Sequence, residues 1–327
     1  MLLSQHTRRR DALLLVGYGV LASSGARAQA PTRLRKIGYL HPRTIAPDSP
    51  TLRVLKAAWE SFGYAEPESV MLRSAADNPT RLPKLAAELV ELGAGVLIAV
   101  GPAAVKAASE LGVPVIGIDL ESDPIRNGLA ASFARPGGNV TGLFVDQPSV
   151  AGKMIDLLKE AVPTLERVAI MSTPSTTPHQ VDAALGAARA RGLTSVVVEK
   201  SPAVTYEEAF GGLGADGGTG VVQLGSPGFI LDSRSFAIAA EKSKLPTIAF
   251  LKVYVGDGVL MSYGPNTDIY FSRAVVFADR ILKGERPGEL PIEQPAQFEF
   301  VINLKTAKAL GLTIPPTLLA RADEVIE

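Results

Sequence analysis

Cysteine is absent from the 327 residues. Disulfides, thiolate metal sites and a lipid-bearing cysteine are thereby excluded, so the mature form is expected to be soluble and not a lipoprotein. An excess of either charge is also missing, with 33 basic and 33 acidic side chains. The balance leaves no electrostatic footprint for nucleic acid or anionic lipid. Long apolar runs are lacking: the stretch over residues 13–22 is about half of the roughly 20 residues that span a hydrocarbon core. Histidine is scarce, being confined to His6, His41 and His179; no two have metal-ligand spacing and no His-Glu-x-x-His occurs. Gly225-Ser226-Pro227-Gly228 would need a glycine where Leu224 stands to form a nucleophile elbow. Gly218-Thr219-Gly220 precedes an expected strand instead of following one, which argues against a dinucleotide loop. No phosphate-cradling Gly-x-x-x-x-Gly-Lys is present in the mature chain. These absences point away from an enzyme: no catalytic residues, metal site or cofactor are assigned.

The first 28 residues read as an export signal. Arg8, Arg9 and Arg10 are followed by the apolar run 13–22 and then by Ala26-Arg27-Ala28. Small residues one and three positions before a cut suit a signal peptidase, which places cleavage before Gln29. The stretch from Thr7 to Leu13 also resembles a twin-arginine signal, leaving the twin-arginine and general secretory routes both open. Gly17-Tyr18-Gly19, superficially a dinucleotide loop, lies inside this leader.

Beyond residue 35, short β-branched runs alternate with amphipathic segments, the pattern of parallel strands joined by helices. Strands are expected over 36–40, 70–73, 96–100 and 115–119, with helices over 52–62, 81–92 and 102–111. The turn-rich Arg135-Pro136-Gly137-Gly138-Asn139 then interrupts the series and is a hinge candidate. A second series of the same kind follows, with strands over 168–171, 195–199, 221–224 and 247–251. A strand over 259–263 is expected to lead the chain back to the first half, where a helix over 269–283 would pack. The expected fold class is α/β: two Rossmann-like lobes with parallel sheets joined by a multi-strand hinge. The N-terminal lobe would cover 29–142, completed by about 262–327, and the C-terminal lobe 143–258.

The tail Phe298-Glu299-Phe300-Val301-Ile302-Asn303-Leu304-Lys305-Thr306-Ala307-Lys308-Ala309-Leu310-Gly311-Leu312, continuing through Pro315-Pro316-Thr317-Leu318-Leu319 to Arg321-Ala322-Asp323-Glu324, resembles the C-terminal signature of the ABC transporter substrate-binding family that includes tryptophan-binding relatives. Arg135-Pro136-Gly137-Gly138-Asn139-Val140-Thr141-Gly142 and Leu260-Met261-Ser262-Tyr263-Gly264 are similar to the same family. The resemblance runs in order through the mature chain. It implies a periplasmic binding protein fold of the first type, two lobes closing over a small molecule, and a membrane permease as partner.

In open α/β sheets a ligand lies beyond the carboxyl ends of the strands. That rule selects the loops 40–49, 101–104 and 119–126 in the first half, and 172–178, 225–229 and 251–256 in the second. The candidate ligand-binding residues are therefore His41, Arg43, Gly101, Pro102, Ala103, Asp123, Thr173, Ser175, Ser226, Phe229 and Tyr254. His41 and Arg43 either meet a carboxylate or belong to a solvated loop. Asp123, in an Asp-Pro pair shared with the family, either binds a cation or fixes its loop. Thr173 and Ser175 either donate to a ligand or cap the next helix. Phe229 and Tyr254 either wall the pocket or take a core or rim position. Ser226-Pro227 stands where relatives carry Asp-Pro, which removes an expected partner for an α-ammonium, so the solute stays open between amino acids and aromatic or other organic anions.

The expectation is a periplasmic, monomeric receptor that delivers its solute to an ABC permease. A sensory subunit that signals to a membrane receptor would use the same clamp, and a cofactor-using enzyme on similar lobes is the remaining rival. A sugar-responsive repressor would need a basic helix-turn-helix where the leader stands.

Overall fold

A computed structural model describes residues 36–327 apart from 46, 48, 146, 175, 202, 215–217, 227–228, 230–232 and 295–296. The expected leader lies outside the described residues. Leu34–Glu327 forms one unit by its internal contacts, and within it the strands fall into two sheets.

The first sheet joins β1 (Lys36–His41), β2 (Val70–Ser74), β3 (Ala94–Val100), β4 (Val115–Asp119) and β5 (Val140–Phe144). Its order is β2-β1-β3-β4-β5, and every pairing is parallel. Helices α1 (Pro50–Ser61), α2 (Leu82–Glu91) and α3 (Pro102–Ser109) make the crossovers. β4 and β5 are buried along their whole length, because helices cover both faces of a parallel sheet and leave no solvated side to alternate with. The β4–β5 pair needs glycine on both strands: Gly142 has φ +129, and a Cβ there would collide with the Gly117 backbone.

The second series begins with α4 (Gln147–Ala161), β6 (Arg167–Ser172), α5 (Pro178–Ala190), β7 (Thr194–Glu199), α6 (Tyr206–Gly211) and β8 (Thr219–Gln223). It continues through α7 (Ser233–Lys242), β9 (Thr247–Ala249), the short α8 (Val253–Gly256) and β10 (Met261–Pro265). Next comes α9 (Thr267–Leu282), and the chain closes with β11 (Phe298–Asn303), α10 (Leu304–Ala309), α11 (Pro316–Leu319) and β12 (Glu324–Ile326). The second sheet runs β12-β11-β10-β9-β8-β6-β7. Its strands are parallel from β7 through β10, while β11 turns antiparallel to β10 and β12 follows β11.

Helix α9 is the element that returns to the first lobe. Asn266 caps it by accepting from the N–H groups of Asp268 and Ile269 at 3.0 and 3.2 Å. Tyr270, Phe271, Ala274, Val275, Phe277, Ala278 and Ile281 make one buried face at helical spacing, which lies against α1, β3 and β4. Each large apolar side chain so placed is worth about 1.5–3 kcal/mol relative to exposure. Tyr64 adds a hydroxyl donated to Asp279 Oδ1 at 3.2 Å. The following segment pairs with β5: Phe144 N donates to Glu293 O at 3.0 Å and Glu293 N to Gly142 O at 2.8 Å.

The structure differs here from the expected return of the whole 262–327 segment. Only α9 and the chain up to Glu293 join the first lobe, whereas β10, β11 and β12 complete the second sheet. The physical reason is strand pairing, since β11 bonds along β10 from Met261↔Ile302 to Pro265↔Phe298, and a paired strand cannot also leave with the helix. The chain therefore passes between lobes three times: after β5, between β10 and α9, and between Glu293 and β11. Arg135-Pro136-Gly137-Gly138-Asn139 is not one of these crossings. It precedes β5, where Asn139 O accepts from Val115 N at 2.8 Å and its side-chain amide donates to Ser109 O and Val113 O. That is the amino end of the sheet, opposite the crossings.

Candidate functional site

The loop after β4 is organised by a buried acid. Asp119 accepts the N–H of Glu121 at 2.9 Å and of Ser122 at 3.0 Å through Oδ1, and the Ser122 hydroxyl through Oδ2. Burial pushes its carboxyl up to about 6, against the three hydrogen bonds, which favour the charged form. The turn fixes the backbone of Glu121, whose side chain is 5 % exposed and whose Oε2 has no hydrogen-bond partner. Burial first, and the Asp119 charge second, hold the Glu121 carboxyl well above the usual carboxylate range. Asp123 turns the chain again by accepting from Ile125 N at 2.8 Å and Arg126 N at 3.3 Å, and it pairs with the Arg126 guanidinium at 3.6 Å.

Across from this loop, the start of α5 carries a capping box. Gln180 N donates to Thr177 Oγ1 and Thr177 N donates to Gln180 Oε1 at 3.1 Å. Gln180 is 2 % exposed. With its oxygen engaged by the cap, its Nε2 is left without a partner.

These two loops enclose a cavity of about 280 Å³ between the lobes. The first lobe supplies Glu121, Ser122, Asp123, Pro124, Arg126, Asn127 and Phe133; the second supplies Thr177, His179 and Gln180. Val145 and Gln294 contribute from two of the crossings. The size lies near the lower end of small-molecule pockets, roughly 300–1,000 Å³. Its polar groups are two carboxyls, three carboxamides, two hydroxyls, a guanidinium and an imidazole, which suit recognition. Among the described residues no cluster of three or more His, Cys, Asp or Glu is placed to hold a metal ion.

Among the described residues expected from sequence, Asp123 alone is on this wall, and its carboxylate is engaged with its own loop. His41 stacks on Tyr39 at 5.9 Å and accepts the N–H of Arg43 at 3.2 Å; burial lowers its pKa. Arg43 donates from Nε to Asp77 at 3.0 Å. Both are thus tied to the β1 loop and neither lines the cavity. Gly101 adopts φ +78 to turn β3 into α3, with Pro102 half-buried and Ala103 exposed at the first turn. Thr173 and Ser226 are buried and share a hydroxyl hydrogen bond of 2.7 Å, while Ser175 lies outside the described residues.

Phe229 and Tyr254 correct the expected aromatic wall. Both are fully buried in the apolar cluster of the second lobe. Tyr254 meets Phe236 edge to face at 5.6 Å and accepts from Gln223 Nε2 through its hydroxyl. Because Val253–Gly256 folds into α8 instead of an open loop, Tyr254 turns into the core. Glu121, Arg126, His179 and Gln180 were not foreseen. Glu121 and Arg126 sit inside the loop that the strand-end rule selected. Gln180 carried the readable signal of a glutamine three residues after a helix-capping threonine.

A family model described as "ABC transporter substrate binding protein" matches residues 53–326. A tyrosine-binding protein of Clostridioides difficile is 25% identical over 262 residues, covering 78% of this chain and 74% of the relative. The structure of an ABC domain in complex with L-Trp from Streptococcus pneumoniae superposes with a TM-score of 0.76 at 22% identity, covering 89% of this chain and 100% of that one. A conserved domain protein from Vibrio cholerae gives a TM-score of 0.78 at 22% identity, with coverage of 89% and 99%. The two lobes with parallel-dominated sheets are thus those of a periplasmic binding protein of the first type. Among the described residues no helix is long and apolar enough to cross a membrane.

Proposed function

We propose, because the chain belongs to the ABC transporter substrate-binding protein family, that it captures a small organic solute between its lobes and delivers it to a cognate permease. Members of this family bind substrates, act outside the cytoplasm and are not enzymes. The observation that carries the reading is the cavity with walls from both lobes and from two of the crossings. A solute held there touches groups that move relative to one another when the lobes close. It therefore stabilises the closed arrangement by the difference between its affinities for the closed and open forms. The solute class we favour is the amino acids and related aromatic or organic anions, supported by relatives whose names carry tyrosine and L-Trp. We further propose export through the leader 1–28, with cleavage before Gln29, and action as a monomer.

The test is a thermal-shift screen of the mature chain against amino acids, aromatic carboxylates and neutral solutes, followed by X-ray scattering with the compound that stabilises it most. A compound at 100 times its dissociation constant adds about 2.7 kcal/mol and is expected to contract the scattering envelope. Unchanged scattering at saturation would contradict the clamp.

A further inference from the structure

We infer that the interlobe cavity selects a solute bearing a protonated amine, that Glu121 is the group that selects it, and that Gln180 takes an acceptor of the same solute from the opposite lobe. The inference rests on the cavity being the solute site.

A buried polar group without a partner costs roughly 1–3 kcal/mol, and more when charged. Two residues of this wall carry one each: Glu121 at Oε2 and Gln180 at Nε2. The other charges around Glu121 are committed. Asp119 is engaged by the Glu121 and Ser122 N–H groups and the Ser122 hydroxyl. Asp123 serves Ile125, Arg126 N and the Arg126 guanidinium. Arg126, the cation on the same wall, pairs with Asp123 and not with Glu121. Among the described residues Glu121 is therefore the first-lobe wall residue with a buried acceptor left uncommitted.

A neutral hydroxyl could donate one hydrogen bond to that carboxyl but would not offset the burial and the Asp119 charge that oppose its ionisation. An ammonium brings three donors and the opposite charge. Gln180 is set for the complementary role. The Thr177 N–H can only donate, so it requires the oxygen of Gln180, and this fixes the amide with its donor end left over. The two orphaned groups come from different lobes, so a solute satisfying both spans the gap. A compound with one of the two functions would engage one lobe alone.

The experiment uses matched sets: the twenty proteinogenic amino acids, their decarboxylated amines and their deaminated acids, with sugars and neutral polyols on the same plates. Thermal shift and calorimetry are read on the wild-type mature chain and on Glu121→Gln and Gln180→Leu. We expect an amine-bearing compound to stabilise the wild type and its deaminated counterpart to fail. Glu121→Gln should weaken the amine about 30-fold or more, the range for removing one partner of a buried charge pair. Gln180→Leu should weaken binding about tenfold while keeping the preference for the amine. Glu121→Gln keeps the side chain's shape and removes the ionisable carboxyl, and its unliganded melting temperature reports whether it folds. Should it fail to fold, the wild-type comparison of amines with deaminated acids decides. Deaminated acids binding as well as amines, or Glu121→Gln binding the amine undiminished, overturns the inference. Stabilisation by sugars or carboxylates alone overturns it while leaving the receptor reading intact. No response to any compound class overturns both.

Discussion

The backbone N–H of Glu121 rests on the carboxylate of Asp119 at 2.9 Å, so a buried acid at the end of one strand positions a second acid two residues later. Asp119 orders the turn, and Glu121 gains a place on the wall that its own sequence context does not announce.

A first prediction concerns Asp119 and pH. Its folded pKa, about 6, lies above the ordinary 3.8. The native chain therefore holds a proton that the unfolded chain has already released, and the associated stability is complete below the ordinary value and lost as pH rises through 6. The contribution is on the order of 2–3 kcal/mol. Asp119→Asn keeps an oxygen for the Glu121 and Ser122 N–H groups and removes the titration. Urea denaturation at pH 4.5 and 7.5 should show the variant gaining relative to the wild type at the higher pH. An identical pH slope for both proteins would refute the assignment.

A second concerns the crossing between β10 and α9. Gly264, next to last in β10, lies so close to Phe250 that an added Cβ would collide with that residue's carbonyl oxygen. Gly264→Ala should destabilise by about 1–3 kcal/mol or more. Gly186, inside α5, has open space around its missing Cβ, and Gly186→Ala should stabilise by about 0.5–1 kcal/mol. Denaturant midpoints of the two variants should therefore move in opposite directions.

A third separates core from pocket. Phe229→Ala should cost about 3–5 kcal/mol in stability and leave the ranking of bound compounds unchanged, because the ring packs in the second-lobe cluster. A selective change in that ranking at unchanged stability would return Phe229 to the cavity wall.

The alternation of strands and helices was readable because buried parallel strands are near-continuous apolar runs, as β3 is throughout and β4 is up to its terminal Asp119. The helix over 269–283 was readable from its period, which survives in the buried face of α9. Assignment of β11 and β12 was not, since nothing local in Phe298–Asn303 states which sheet edge it will meet. The site was legible only as a set of loops. Glu121 is a residue type expected on a solvated loop, and only the folded structure shows it buried beside the Asp119 turn. Phe229 and Tyr254 looked equally fit for wall or core, and both pack in the second-lobe cluster, Tyr254 on the short helix α8. His179 and Gln180 follow directly after the loop 172–178, one step beyond where the strand-end rule stopped.

The three passages between lobes also bear on what happens when the backbone is cut. A single nick by a protease at any one of them leaves the halves tethered by the other two, and β11 stays stitched to β10 along five residue pairs. A receptor working where proteases act can thus be clipped at its own waist and remain one particle. Intact mass on a native gel with fragments on a denaturing one would be its signature.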